Sequence, residues 1–141
     1  MKNFLLMTAL SALTVLFVTG CGTPTGGAPK PKGELAGSFW KPVDSPRNTY
    51  IEFTDDGRMV GNTGCNRFFG PVAYARGKRI RLGPLALTRN EGPERKYEER
   101  FITGIDDTRG YVLDGDTLTL YNEERQPLMR MIRLKPQIGK P

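Results

Sequence analysis

The chain lacks histidine altogether, and it has only two cysteines and one tryptophan in 141 residues. Because imidazole is the side chain that most often moves protons near neutral pH, catalysis by a nucleophile with a histidine base is excluded. A run of about 20 apolar residues, which a membrane-spanning helix requires, is also missing. The sequence therefore predicts that the protein is not an enzyme and does not span a membrane.

The N-terminus has the layout of a secretory signal peptide. One lysine, Lys2, precedes an uncharged and mostly apolar run from Phe4 to Val18, and such a leader is removed from the mature protein. The run ends in VTGC, which looks like a lipobox, the motif whose cysteine receives a diacylglyceryl thioether. We therefore predict a signal peptide over residues 1–20 and lipidation of Cys21. Ordinary secretion, with Cys21 as a free thiol, is the alternative.

Residues 21–33 are predicted to be the acylated cysteine and a Pro/Gly-rich tether. Residues 22–33 read GTPTGGAPKPKG, and such a segment reaches at most about 40 Å at roughly 3.3 Å per residue. Residue 22 is glycine, so by resemblance to the sorting rule of Gram-negative bacteria the chain lacks the aspartate that retains lipoproteins in the inner membrane. If the cell is Gram-negative, we expect the lipid anchor in the outer membrane, on its periplasmic face.

The rest of the chain has the length of one domain, which we place at residues 34–135, with a C-terminal tail at 136–141. Three segments of this domain alternate apolar and polar residues with a period of two, as antiparallel hairpins do. Their turns are predicted at Asp56-Gly57, Arg76-Gly77-Lys78 and Asp114-Gly115. A last strand, PLMRMIRLK, is apolar on both faces and is predicted to be more deeply buried. Short antiparallel strands with tight turns favour a closed barrel or a sandwich.

One segment has helical periodicity instead. Its apolar stripe consists of Tyr97, Phe101, Ile102 and Ile105. Pro93 suits a first helical turn, so we predict one helix that packs against or plugs a mostly antiparallel sheet. The adjacent acids Glu98 and Glu99 do not face one another on a helix, and both are predicted to be solvated.

Several landmarks follow one another in a fixed order along the chain. They are LAGSFW with Trp40, IEFTDDGRMVGNTGCNRFFG, IRLGPLALT ending at Thr88, the helical segment, and YVLDGDTLTLY. With the Gly64-Cys65-Asn66 tripeptide as its most specific mark, the chain resembles the META domain family, that of the heat-inducible lipoprotein HslJ. The resemblance implies a single-domain, small antiparallel β-barrel of lipocalin-like topology with one helix and no established enzyme activity. It also implies an association with stress tolerance.

The Gly64-Cys65-Asn66 loop is predicted to be structural. We expect Cys65 to be a small buried residue, Gly64 to supply a backbone conformation that other residues avoid, and Asn66 to bond its own loop. A redox role, an inter-chain disulfide and catalysis are the alternatives for Cys65. The resemblance implies a second cysteine four residues after Thr88 in many family members, but this chain has Gly92 there. The disulfide that such members could form with the residue at position 65 is therefore not expected. One thiol without imidazole falls short of a zinc site, and no metal or cofactor is predicted.

A basic patch is formed in the sequence by Arg76, Lys78, Arg79 and Arg81. Arg79 and Arg81 share one face of a predicted strand, and the other two lie at its turn. The patch is either a solvated face or an attachment point for an anionic envelope component or an acidic partner protein. Nucleic acid is not an expected partner, because the chain is predicted to be exported.

Two function classes remain open. The first is a non-enzymatic envelope lipoprotein that binds a partner protein or an apolar ligand and supports envelope stress tolerance. The second is an inhibitor of an exported enzyme such as a lysozyme. The formal charge is +6, and removing residues 1–20 leaves +5. This charge argues against the second class, because acidic groups would suit a basic lysozyme better.

Overall fold

The computed structural model describes residues 33–135. The predicted signal peptide, Cys21, the tether up to residue 32 and the tail at 136–141 lie outside the described residues. Within 33–135, no helix is long and apolar enough to cross a membrane. The elements are β1 (Ser38–Pro42), β2 (Tyr50–Phe53), β3 (Arg58–Asn62), β4 (Arg67–Ala75), β5 (Arg79–Leu82), β6 (Ala86–Leu87), α1 (Arg95–Asp107), β7 (Gly110–Asp114), β8 (Thr117–Tyr121) and β9 (Pro127–Leu134).

All three predicted hairpins are present. They pair β2 with β3, β4 with β5 and β7 with β8, each antiparallel. A glycine with positive φ lies in each turn, namely Gly57, Gly77 and Gly115. Only glycine adopts this conformation without steric cost, so the local sequence is enough to place these turns.

The strands close into a ring. Each ring strand pairs with the next one along the chain, β5 pairs with β7, and β9 returns to pair with β1. The two-residue strand β6 adds to the edge of β4 and lies outside this succession. An up-and-down closed antiparallel barrel of this kind is the lipocalin-like topology. The prediction of a single-domain, mainly β fold with one helix is confirmed.

The interior of the barrel is filled by side chains. The buried apolar cluster consists of Leu35, Trp40, Ile51, Phe53, Met59, Phe68, Val72, Ile80, Leu82, Phe101, Ile105, Tyr111, Leu118, Leu120 and Met131. The largest of them, Trp40, is fully buried, and its Nε1–H donates to Ser38 Oγ at 2.6 Å. The hydrophobic effect therefore acts on one continuous core, to which all ring strands and α1 contribute.

The helix α1 contributes the stripe that its periodicity predicts. Phe101 and Ile105 are buried, while Tyr97 and Ile102 pack partly buried against the same core. The ring centroids of Phe101 and Phe68 are 5.2 Å apart, a separation typical of favourable aromatic pairs. Aromatic contact thus joins α1 to β4.

The last strand differs from the prediction. In β9 only Met131 is buried, and Ile132 is 42% exposed. Successive side chains of a barrel strand point alternately inward and outward, so an apolar residue next to Met131 must lie on the outer surface. The prediction that this strand is more deeply buried was wrong, because apolar composition on both faces does not change the pleat.

Candidate functional site

The loop that joins β3 to β4 holds the signature tripeptide in a fixed turn. The Thr63 backbone N–H donates to the Asn66 carbonyl oxygen at 2.8 Å, and Gly64 has a φ of +107°. A Cβ atom at position 64 would lie 2.8 Å from the Cβ of Pro46. Both the backbone conformation and the lack of space therefore require glycine here, as the sequence predicts.

Asn66 is the buried centre of this loop, with 2% of its surface exposed. Its Oδ1 accepts hydrogen bonds from the Asn90 backbone N–H at 2.7 Å and from Thr88 Oγ1 at 2.8 Å. Its Nδ2 donates to the Asn90 carbonyl at 3.1 Å and to Glu98 Oε1 at 3.0 Å. The side chain thus joins the loop to the segment after β6 and to α1, and it bonds well beyond its own loop.

Glu98 corrects a second expectation. Its carboxylate accepts a hydrogen bond from Thr63 Oγ1 as well as from Asn66, and its surface is half-buried. Glu99, the neighbouring acid, is exposed and forms an ion pair with Arg95 at 3.2 Å. The prediction that both acids are solvated is wrong for Glu98, which holds α1 against the signature loop.

Cys65 is half-buried rather than buried. Its Sγ lies 3.5 Å from the Asn90 carbonyl oxygen, at a shallow cleft beside Asn66. The expectation of a buried space-filling thiol is therefore wrong, since the buried side chain of the tripeptide is that of Asn66. Within residues 33–135, no group of three or more histidine, cysteine, aspartate or glutamate side chains is placed to hold a metal ion.

The four residues of the predicted basic patch lie where the sequence places them. Arg79 and Arg81 alternate with buried residues on the outer face of β5, and Arg76 and Lys78 lie in the turn before it. Two of the four have acidic partners. Arg79 Nη2 donates to both carboxylate oxygens of Glu123, each at 3.0 Å, and Lys78 pairs with Glu34.

An open cleft of about 530 Å³ lies beside this patch. It is located where β5 and β7 meet, a seam held by the single paired position Arg79–Gly110. Four cationic side chains line it, namely Lys78, Arg79, Arg109 and Arg125. Two carboxylates lie beside them, that of Glu123 in the lining and that of Glu34, which pairs with Lys78. Because four cations outnumber two carboxylates, the electrostatic potential in the cleft favours an anion.

One edge of the cleft is a small hydrogen-bonded cluster. The Tyr111 hydroxyl donates to Glu34 at 3.0 Å, and the Lys78 ammonium lies 5.6 Å from the Tyr111 ring centroid. The hydrogen bond from Lys78, and then that from Tyr111, lowers the pKa of the Glu34 carboxyl from its usual value. Burial, followed by the bond to Glu34, raises the pKa of Tyr111 to about 12. At neutral pH this edge therefore holds an ionised carboxylate and a neutral phenol.

The sequence does not identify two of the cations in this cleft. Arg109 lies between α1 and β7, where its guanidinium donates to the carbonyls of Asp106 and Thr108 at 2.7 and 2.8 Å. Arg125 lies in the turn between β8 and β9 with a φ of +62°. Neither residue belongs to a basic run in the sequence. Only the pairing of β5 with β7 brings them to the same cleft as Lys78 and Arg79. Conversely, Arg76 and Arg81 do not line the cleft.

Comparison with known families agrees with this barrel and its signature loop. The family model of the META domain matches residues 34–133. The chain therefore belongs to the META domain family, as the landmarks in its sequence indicate. No curated protein matches the chain.

Two solved structures are similar in fold. The NMR structure of a protein from Burkholderia xenovorans has a TM-score of 0.57 at 18% identity, and the match covers 81% of this chain and 98% of that one. A DUF4847 family protein from Bacteroides vulgatus has a TM-score of 0.51 at 20% identity, with 64% of this chain covered. The match spans 62% of the length of the Bacteroides protein. At these identities the likeness concerns the fold.

Proposed function

We propose that this protein is a non-enzymatic binding module of the cell envelope. It is anchored through a lipid on Cys21, in the outer membrane if the cell is Gram-negative, and it binds an anionic envelope component in support of stress tolerance. The observation that carries the proposal is the cleft lined by Lys78, Arg79, Arg109 and Arg125. The stress role rests on the family to which the chain belongs.

The filled interior favours a ligand outside the barrel over an apolar ligand within it. Lipocalin-type carriers keep a cavity inside the strands, whereas here Trp40, Phe53 and Phe101 are almost completely buried in the middle of the core. An apolar ligand would have to displace such side chains, and the displacement would cost their packing energy. Binding at the outer cleft requires no such rearrangement.

The positive charge of the cleft also favours an anionic envelope component over a basic exported enzyme as the partner. Arginine presents several N–H donors in a planar fork that suits carboxylates and phosphates, and Arg79 already binds a carboxylate, that of Glu123, through Nη2. A basic lysozyme would be repelled by the same cations. Inhibition of a basic exported enzyme is therefore the weaker alternative.

The test compares recovery of the partner by two variants that lose equal charge. Arg79→Gln with Arg125→Asn removes two cleft cations, and asparagine suits the positive φ at position 125. Lys96→Gln with Arg100→Gln removes two exposed cations of α1 that do not line the cleft. After crosslinking in membranes, we expect the cleft variant to lose most of its crosslinked partner and the α1 variant to keep it.

Salt provides the second arm of this experiment. Exposed charges interact over about 8 Å at physiological ionic strength, so partner recovery should fall as salt is raised before crosslinking. Equal recovery by both variants, at low and at high salt, would contradict the proposal.

A further inference from the structure

The described chain enters the barrel beside the cleft. Gly33 lies against the ring of Tyr74, which occupies the place that a Cβ of residue 33 would need. The next residue, Glu34, pairs with Lys78 and accepts the hydrogen bond from Tyr111, and both of these partners line the cleft. Leu35 then enters the core with none of its surface exposed. These contacts fix the point from which the tether extends.

The length of the tether limits how far this entry point can lie from the anchor. Eleven residues separate Cys21 from Gly33, and they span at most about 40 Å. If Cys21 is lipidated, Lys78 and the rest of the cleft are therefore held close to the membrane surface.

We propose that the cleft docks on the membrane that carries the anchor and takes the phosphates of anionic lipid headgroups. This inference rests on the proposed function, because it requires the lipid on Cys21. Lys78, Arg79, Arg109 and Arg125 supply the positive charge, and arginine binds phosphate oxygens bidentately. Polar headgroup contact is sufficient, so no apolar side chain has to enter the bilayer.

The experiment uses the lipidated protein reconstituted into vesicles. Mass spectrometry first confirms the lipid, and amide hydrogen exchange is then measured on residues 109–112 and 121–126. We expect slower exchange in vesicles that contain phosphatidylglycerol than in vesicles of phosphatidylcholine alone, and loss of the difference at 0.5 M salt (about 4 Å screening length). Identical exchange in the two kinds of vesicle would overturn the inference.

Two kinds of charge variant should change membrane docking in opposite directions. Arg79→Gln with Arg125→Asn should lower the docking constant about 30-fold, since each cation near an anionic surface contributes about 1 kcal/mol. Glu123→Gln removes the carboxylate that pairs with Arg79 and should give protection at a lower fraction of phosphatidylglycerol. The matched Lys96→Gln, Arg100→Gln variant should behave as wild type. If it loses protection equally, the cleft is not the docking surface.

Further outcomes separate this inference from the proposed function. Inorganic phosphate, added at matched ionic strength, should not reproduce the protection, and if it does, the cleft takes free phosphate rather than a membrane. A crosslinked protein partner that depends on Arg79 and Arg125, without protection by anionic vesicles, would leave the proposed function standing and overturn membrane docking. Absence of lipid on Cys21 would overturn the anchor and the docking together.

Discussion

Gly92 faces Cys65 across the shallow cleft beside Asn66. A Cβ atom placed on Gly92 would lie 3.5 Å from the Cβ of Cys65 and 2.6 Å from its Sγ. Disulfides join Cβ atoms that are about 3.5–4.5 Å apart. The two positions are therefore placed as a bonded pair would be, although this chain has a glycine at one of them.

Gly92→Cys should form a disulfide with Cys65. In a Cys21→Ala background, which removes the competing thiol, closing a loop of about 27 residues should stabilise the fold by about 3.5 kcal/mol. The measurement is urea unfolding with and without reductant, with thiol alkylation to show whether the bond has formed. Gly92→Ser is the matched control and should show no dependence on reductant. Two freely alkylated thiols in the folded Gly92→Cys protein would contradict the geometry.

Asn66→Ala should destabilise the protein by about 2–4 kcal/mol, because it leaves several partly buried donors and acceptors without partners. Those partners are Thr88, Glu98 and the Asn90 main chain. Asn90→Ala is the control, since Asn90 takes part in these bonds through its backbone. The midpoint and slope of urea unfolding measure both. If Asn66→Ala lowers the free energy of unfolding no more than Asn90→Ala does, the hydrogen-bond network around Asn66 contributes little to stability.

Glu34→Gln should change stability in a pH-dependent way. Because the folded pKa of Glu34 is lowered from 4.5, its contribution is present above the unfolded pKa and is lost as pH falls through the folded pKa. The pair with Lys78 is largely exposed, so we expect a loss below about 1 kcal/mol at pH 7. The difference from wild type should shrink as the pH is lowered from 7 to 3 in urea unfolding. A difference that grows towards pH 3 would have the wrong sign.

Tyr111→Phe should make the protein more resistant to alkaline unfolding relative to wild type than it is at neutral pH. The Tyr111 pKa of about 12 lies above the usual 10, so the folded state holds the phenolic proton more tightly than the unfolded chain does. The Tyr111 phenol therefore lowers the free energy of unfolding as pH rises above 10, and replacement by Phe removes this loss. Unfolding at pH 8 and pH 11 should show the variant gaining on wild type at the higher pH. A constant difference would contradict the raised pKa.

Cys21→Ala tests the predicted anchor. The variant should be released from membranes or accumulate as an uncleaved precursor, because only the thiol accepts the diacylglyceryl group, whereas wild type should incorporate labelled palmitate. Fractionation of the envelope and radiolabelling measure the two results. Cys65→Ala is the matched control and should remain anchored. Unlabelled and fully soluble wild-type protein would contradict the prediction.

Local features of the chain predicted the elements well. Asp56-Gly57 and Asp114-Gly115 specify tight turns, and the alternation beside them is enough to place the strands. The stripe around Phe101 likewise predicts α1. The burial of β9 and of Cys65 was predicted wrongly, because composition shows which residues are apolar but not which face of a strand, or which side of a loop, meets the core.

The sequence by itself determined the absence of histidine chemistry, the period-two strands, the turns and the family marks, because these depend on residue type and on neighbours in the chain. Only the tertiary structure decided which distant groups meet. Asn66 bonds Glu98 across 32 positions, and Arg109 and Arg125 join Arg79 because the ring closes between β5 and β7. The alternation of apolar and polar residues predicts only that cations such as these face outward, because charged side chains are seldom buried. Their neighbours are set by the register of strands that pair over long distances, which is fixed when the core packs.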